Sequence, residues 1–203
     1  VLEELEKKQE FTLEFKQKLA LKAFRLTSSY DATIYKGLCS EIGTSEEAGE
    51  DKILPLRKAQ DLRYGENPHQ KAALFMPPLE KKPFEQFSGK ELSYNNLLDL
   101  DTLLRGCSLF QDQCACIIVK HTTPCGTAQG RTPLDAFRKA LECDPVSAFG
   151  GIIGITRCVD METAKAIIET FFEIVAAPSY ADGVVEFFRE KKPNLRVLTI
   201  TPG

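Results

Sequence analysis

The sequence lacks the segments that mark membrane and secreted proteins and the charge that marks nucleic-acid-binding proteins. No apolar run approaches the roughly 20 residues needed to cross a bilayer, and the charged N-terminal region has no signal-peptide core. The formal net charge of −3 over 203 residues gives no electrostatic basis for binding nucleic acid or an anionic membrane. We therefore expect a cytoplasmic protein, with neither nucleic acid nor membrane among its partners.

The cysteines fit neither a disulfide framework nor a zinc finger. They are seven, an odd number, and most lie inside apolar runs, where a free cysteine behaves as a small hydrophobic residue. No pair repeats at zinc-finger spacing, and a secreted disulfide scaffold is a poor match for a chain of this length. We interpret them as reduced thiols, which again favours the cytoplasm.

Common nucleotide and metal signatures are missing as well. Gly150-Gly151 allows a ligand close to the backbone, but it belongs to neither G-x-G-x-x-G nor a Walker loop. A zinc deaminase needs H-x-E and P-C-x-x-C. Here Pro124-Cys125 is followed by Ala128 in place of the second cysteine, and His121 is followed by Thr122-Thr123 in place of x-Glu. Because two ligands are missing, we expect no zinc.

The sequence does contain an alternation of helical and strand-like segments, and two helices are predicted to open the chain. The first is marked by apolar residues three and four positions apart: Phe15, Leu19, Ala20, Ala23 and Phe24. For the second, Ser28 and Asp31 have the pattern of a capping box, and Gly37 offers an end. Residues 41–52 are acidic, small and polar, which predicts a linker.

Beyond this linker the pattern predicts strands alternating with helices. Strands are expected at 72–76, 116–119, 150–155, 174–177 and 197–200, and helices at 96–112, after Thr132, after Asp160 and over 181–191. The run 116–119 is short and β-branched, which favours a buried parallel strand. Such an alternation is typical of a mostly parallel sheet covered by helices on both faces.

Only two histidines are present, so the search for a general base is short. His121 and Lys120 follow the strand predicted at 116–119, and ligands of open α/β sheets collect at the carboxyl ends of strands. A turn over 124–126 would bring both side chains to one pocket. The imidazole can accept a proton from an amine, and the ammonium can stabilise charge on an oxygen. Position alone leaves open that the pair merely ends a strand.

Two further polar clusters are candidates for ligand binding. In residues 62–70, Arg63 offers the planar donors that suit phosphate, and Tyr64 can stack on a heterocycle. An ordinary surface loop, with His69 in a structural role, fits these residues equally. In residues 93–96, amides at a helix start either cap the helix or read a ligand carboxamide.

Four motifs give the sequence a family resemblance. LRYGENPHQ, GKELSYNNLLDLD, VKHTTPCG and DPVSAFGG, in this order, resemble the AICAR transformylase domain of the bifunctional AICAR transformylase/IMP cyclohydrolase family. LALKAFRLTSSYDATI is similar to the last helices of the cyclohydrolase domain. The resemblance implies that residues 1–50 are those terminal helices plus a linker, and that 51–203 form the first cytidine-deaminase-like unit. The implied fold is a three-layer α/β/α sandwich with a mostly parallel sheet, preceded by short helices and without zinc.

The resemblance also implies roles for individual residues. His121 matches the general base that takes a proton as the 5-amine of AICAR attacks the formyl group of 10-formyltetrahydrofolate, the co-substrate. Lys120 matches the residue that stabilises the transition state. Contacts to AICAR are implied for Arg63, Tyr64, Asn96, Gly150 and Glu173, with the phosphate held by the first two and the role of the last less defined. Thr123 stands where many bacterial relatives carry Asn.

The family assembles as a homodimer, which is the implied partner here. The sequence starts at Val1 without Met, which fits either a fragment of a longer protein or a processed form. It lacks the second deaminase-like unit, with the folate-binding residues, and the cyclohydrolase core. Two alternatives to an enzyme of this family are a non-catalytic AICAR-binding or assembly module and a zinc deaminase.

Overall fold

The computed structural model describes residues 6, 11–43, 53–78 and 80–201. By its internal contacts the chain divides into two compact units, Val1–Arg57 with Pro77–Glu80 and Lys58–Met76 with Lys81–Gly203. The proposed domain limits of 1–50 and 51–203 stay a prediction.

The first unit contains one long helix where the sequence analysis predicts two short ones. Helix α1 (Leu13–Glu41) begins at Thr12, whose side chain caps the first turn. The capping box predicted at Ser28 does not form, because the Ser28 hydroxyl donates to the carbonyl oxygen of Arg25 at 3.2 Å. A serine bonded back to the preceding turn is compatible with a helix interior, and Gly37 is also helical.

The apolar stripe predicted for the first helix is only partly covered. Phe15 and Leu19 are half-buried, whereas Ala23 and Phe24 are exposed. The predicted linker overlaps the end of α1, and most of it, residues 44–52, lies outside the described residues.

The remaining described residues form strands and helices in alternation. The strands are β1 (Arg57–Leu62), β2 (Ala72–Met76), β3 (Phe84–Ser88), β4 (Ala115–Lys120), β5 (Thr123–Gln129), β6 (Ile152–Ile155), β7 (Ile174–Ala177) and β8 (Arg196–Ile200). The helices are α2 (Tyr94–Ser108), α3 (Pro133–Cys143), α4 (Pro145–Ala148), α5 (Met161–Ile167) and α6 (Val184–Lys191). All predicted strands are present, but β2 pairs with β1 in a separate two-stranded sheet. None of the described helices has the length and apolar character needed to cross a membrane.

The main sheet is mixed, with the order β3-β8-β7-β6-β4-β5. Strands β6, β7 and β8 are parallel neighbours, whereas β4 is antiparallel to both β5 and β6, and β3 is antiparallel to β8. Four of these six strands, β5 to β8, therefore run in one direction. The parallel orientation predicted for β4 is wrong, because only two residues join β4 to β5 and a parallel crossover needs about a dozen.

The alternating side chains of β4 build both faces of the sheet. Cys116 and Ile118 pack in a core with residues of α3, α5 and α6, and Ile117 and Val119 pack in a second core with residues of α2. All four are at most 1% exposed. A continuous apolar run is what a strand covered on both faces requires, and the predicted three-layer α/β/α sandwich is confirmed.

Two helix starts are confirmed as predicted. The side chain of Thr132 accepts a hydrogen bond from the Asp135 amide at 3.1 Å, and that of Asp160 accepts one from Thr163 at 2.7 Å. Strands β1, β3 and β5 are not predicted from the sequence. Pro124 in β5 resembles a turn signal, but β5 is an edge strand, where proline is tolerated.

Gly126 offers a test of the packing between β5 and α3. A Cβ atom at Gly126 would lie 2.0 Å from the carbonyl oxygen of Ala140, a backbone atom that cannot move aside alone. We expect Gly126→Ala to lower the free energy of unfolding by about 1–3 kcal/mol, measured by urea denaturation.

Gly106 in α2 is the matched control, because a Cβ there meets only Ile117 at ordinary contact distances, 3.4 Å or more. Gly106→Ala is expected to be neutral or to stabilise by up to about 1 kcal/mol through helix propensity. Equal denaturation midpoints for the two variants would contradict this account.

Candidate active site

Most of the predicted site residues lie along one edge of the six-stranded sheet. Lys120 ends β4 and is followed by His121, Gly150 precedes β6, and Glu173 precedes β7; Arg196, which is not among the predicted residues, opens β8. The strand register runs through the neighbouring pairs Val119–Ile152, Ile152–Ile174 and Ile174–Arg196. Because β4 is antiparallel to its neighbours, its carboxyl end lies beside the amino ends of β6, β7 and β8. The candidate site is expected at the carboxyl ends of strands, and this expectation holds for β4 only.

His121 and Thr122 form the turn between β4 and β5. Their φ angles of 52° and 60° lie in the left-handed region, and the flanking residues Lys120 and Thr123 are register partners. Two central residues with positive φ define a type I′ hairpin turn, which usually uses Asn and Gly. The turn predicted at 124–126 is wrong, since these residues belong to β5.

Lys120 is held against the loop before β6. Its Nζ atom donates a 2.7 Å hydrogen bond to the carbonyl oxygen of Phe149. Gly150 follows with a φ of 77°, which favours glycine. A Cβ atom at Gly151 would lie 2.7 Å from the carbonyl oxygen of Val119. The two glycines therefore allow this loop to close onto the end of β4.

The Glu173 carboxylate connects a helix with two strands. Its Oε2 atom accepts hydrogen bonds from Nδ2 of Asn96 at 2.8 Å and from Nη1 of Arg196 at 3.5 Å. Asn96 also accepts a 3.1 Å bond from the Ser93 amide in the capping box of α2. The two donors are each 5% exposed, whereas the Glu173 side chain is 41% exposed. The buried groups therefore fix a carboxylate that reaches the surface.

Arg196 is a residue of this cluster that the sequence analysis misses. Its Nε and Nη2 atoms both donate to the carbonyl oxygen of Glu91 at 3.0 Å. Burial lowers the pKa of Arg196 from its ordinary value, the Glu173 carboxylate opposes this, and the charge of Arg63 adds to the decrease. The sequence does contain a signal for this role: Arg196 is a charged residue at the start of an apolar strand. A buried charge needs partners, so such a residue can be expected to take part in a polar cluster.

Arg63 and Tyr64 follow β1 and are tied by their backbone to the segment that leads into α2. The Arg63 amide donates to the Leu92 carbonyl at 2.8 Å, and the Tyr64 carbonyl accepts from the Tyr94 amide at 3.1 Å. The Arg63 guanidinium carbon lies 5.4 Å from the centre of the Tyr64 ring. Within the described residues this guanidinium forms no hydrogen bond or ion pair, so its donors are available to an anion.

Some of the predicted site residues contact each other directly, whereas others are connected only through a residue that the sequence analysis does not predict. Asn96 and Glu173 are in contact, and the Glu173 amide donates to the Gly151 carbonyl at 2.9 Å. The exposed imidazole of His121 makes no hydrogen bond in the described part of the chain. Its turn is linked to α2 by Asp99, which the sequence analysis also misses.

The described residues contain no group of three or more His, Cys, Asp and Glu side chains that could hold a metal ion. All seven cysteines are described and free. Burial raises the pKa of the Cys125 thiol, which disfavours the thiolate that a metal needs. The absence of zinc remains an expectation.

The fold and this end of the sheet define an α/β protein with a polar, partly buried cluster of charged and amide side chains. Residues 1–203 match the family model described as AICARFT/IMPCHase bienzyme. The chain belongs to this family.

Individual relatives agree with this assignment. The chain is 46% identical over 205 residues to the bifunctional purine biosynthesis protein PurH of Persephonella marina, covering 98% of this chain and 40% of that protein. It is 47% identical over 204 residues to PurH of Halalkalibacterium halodurans, covering 98% and 39%. For PurH of Clostridium botulinum the identity is 44% over 201 residues, with 98% and 39% covered. The chain thus spans about 40% of the length of these relatives.

The buried guanidinium of Arg196 provides a test of the cluster. Arg196→Met removes the donors to Glu91 and Glu173, and we expect the free energy of unfolding to fall by about 1–3 kcal/mol. Arg189→Met is the control, because the exposed Arg189 makes a single 3.4 Å bond to the Phe87 carbonyl. Urea denaturation should separate the two variants, and equal losses would contradict the assigned role of Arg196.

Proposed function

We propose that the full-length protein transfers a formyl group from 10-formyltetrahydrofolate to the 5-amine of AICAR in purine biosynthesis. In this proposal the chain supplies the general base and one wall of the nucleotide site. The observation that carries it is the alignment of Lys120, Gly150 and the Asn96–Glu173 pair along one sheet edge. Membership of the AICARFT/IMPCHase family supports the same reaction.

The chemistry asks for simultaneous proton removal and charge stabilisation, because the aryl amine of AICAR is a weak nucleophile. As its nitrogen bonds to the formyl carbon, His121 accepts the amine proton and Lys120 stabilises negative charge on the formyl oxygen. The bond between the formyl carbon and N10 then breaks, and tetrahydrofolate leaves as N10 takes up the proton that His121 accepted from the amine. The free imidazole of His121 supports this role, and Lys120 uses one of its three N–H donors on Phe149.

The proposed nucleotide-binding role rests on side chains that are held in place but still have hydrogen-bond donors or acceptors available. Arg63 has free donors for the AICAR phosphate, beside the Tyr64 ring. Glu173 uses Oε2 for its protein partners, so Oε1 is available to N–H or O–H donors of the nucleotide. Asn96 and the backbone at Gly150 complete the proposed AICAR site.

Several parts of the proposal lie beyond the chain itself. We propose that the remaining part of the full-length protein supplies the 10-formyltetrahydrofolate site and closes the product to IMP. We further propose a homodimer in the cytoplasm, with no role for zinc. The seven free cysteines support a reducing compartment.

A non-catalytic AICAR-binding or assembly module is the second candidate for the 203-residue chain. Its motivation is that the chain spans about 40% of the length of its relatives. Calorimetry with AICAR and with the folate, combined with a formyl-transfer assay, separates the two candidates. Binding of AICAR without turnover favours the module for this chain.

Substitution of the proposed catalytic pair tests the reaction. His121→Asn is a better test than His121→Ala, because asparagine tolerates positive φ and should keep the conformation of the turn. In the full-length protein we expect formyl transfer to fall about 10²–10⁴-fold for His121→Asn and about 10²–10³-fold for Lys120→Ala.

Lys139→Ala is the control for this experiment, because Lys139 pairs on the surface with Asp135 at 2.9 Å, away from the sheet edge. It should retain wild-type turnover. Unchanged turnover in both His121→Asn and Lys120→Ala would exclude the proposed mechanism.

A further inference from the structure

The turn that presents His121 has a backbone conformation that its own residues disfavour. His121 and Thr122 have φ angles of 52° and 60°. Non-glycine residues rarely occupy the left-handed region, and they persist there only where the surrounding structure holds them. Thr122 is the less suitable of the two, because a β-branched side chain is a genuine outlier at positive φ. An external contact is therefore needed to hold this turn.

The contact comes from α2. The Thr122 amide donates a 2.7 Å hydrogen bond to Oδ1 of Asp99. The hydroxyls of Thr122 and Thr123 bond locally, both to the His121 carbonyl, at 2.7 and 3.4 Å. Among the described residues, Asp99 provides the only side-chain hydrogen bond to the turn from outside the hairpin.

Asp99 also lies in a helix that anchors the opposite side of the site. Asn96, three residues earlier on α2, donates to Glu173 at 2.8 Å. Residues three apart lie on the same face of a helix. One face of α2 therefore fixes both the carboxylate at the start of β7 and the turn that carries His121.

We propose that Asp99 is a positioning residue that holds the turn in the conformation presenting His121 to the substrate. The inference rests on the proposed role of His121 as the general base. A charge-assisted hydrogen bond to a backbone amide is about twice as strong as a neutral one, which suits the support of a strained turn. Asp99 itself does not touch the reacting atoms.

Two substitutions at Asp99 in the full-length protein separate positioning from charge. Asp99→Ala removes the acceptor, and kcat for formyl transfer should fall by about 10²-fold, as expected for a group displaced by about 1 Å. The KM for AICAR should change little, because the nucleotide contacts remain. Asp99→Asn keeps an oxygen acceptor without the charge and should retain most of kcat.

A second substitution, made in the Asp99→Ala background, provides the deciding test. Glycine adopts positive φ without steric cost, so Thr122→Gly in the Asp99→Ala background should restore most of the lost kcat if the loss comes from the turn. Asp101→Ala is the control on α2, since Asp101 forms an exposed ion pair with Arg105 at 2.9 Å. It should leave kcat unchanged.

Amide hydrogen exchange at Thr122 gives a readout that does not depend on catalysis. The amide should be protected in the wild type and in Asp101→Ala and should lose protection in Asp99→Ala. The inference is overturned if Asp99→Ala keeps wild-type kcat, or if Thr122→Gly restores no kcat in the Asp99→Ala background. Retained turnover in His121→Asn, with Thr122 still protected only when Asp99 is present, would instead reject the proposed function.

Discussion

The hydrogen bonds that Glu173 accepts from Asn96 and Arg196 are the interactions on which the site depends. They join the first turn of α2 to the starts of β7 and β8. Arg196 is almost fully buried, and a buried cation is tolerated only when partners satisfy it. The Glu91 carbonyl and the Glu173 carboxylate meet this requirement together. The same contacts that make this burial possible hold the partly exposed carboxylate of Glu173 in place.

The mixed sheet decides where the site lies. Since β4 runs against β6, β7 and β8, the residues that follow it meet the residues that precede those strands. Lys120 therefore reaches the carbonyl of Phe149, in the loop before β6. In a fully parallel sheet the same segments would lie at opposite edges. One reversed strand thus brings Lys120 and His121 to the residues that precede β6, β7 and β8.

The edge also concentrates backbone conformations that cost free energy. His121 and Thr122 have positive φ, and such strain in non-glycine residues persists only where the surrounding structure determines it. Here the surroundings are rigid, because β4 is buried on both faces and α2 packs along one of them. Because the sandwich holds the end of β4, the hairpin can keep the strained pair His121 and Thr122 in an exposed turn.

The sequence by itself determined the features that depend on neighbouring residues. The caps at Thr132 and Asp160 and the buried run of β4 follow from local hydrogen bonding and from side-chain alternation. The Lys120–His121 pair and Arg63 could be selected as candidates because their motifs are contiguous. Only the tertiary structure decided the direction of β4, the union of two predicted helices in α1, and the parts played by Arg196 and Asp99. These depend on partners far apart in the chain, such as Asn96 and Glu173, which are 77 residues apart. No local pattern encodes which distant groups will meet, because that is set by how the layers pack.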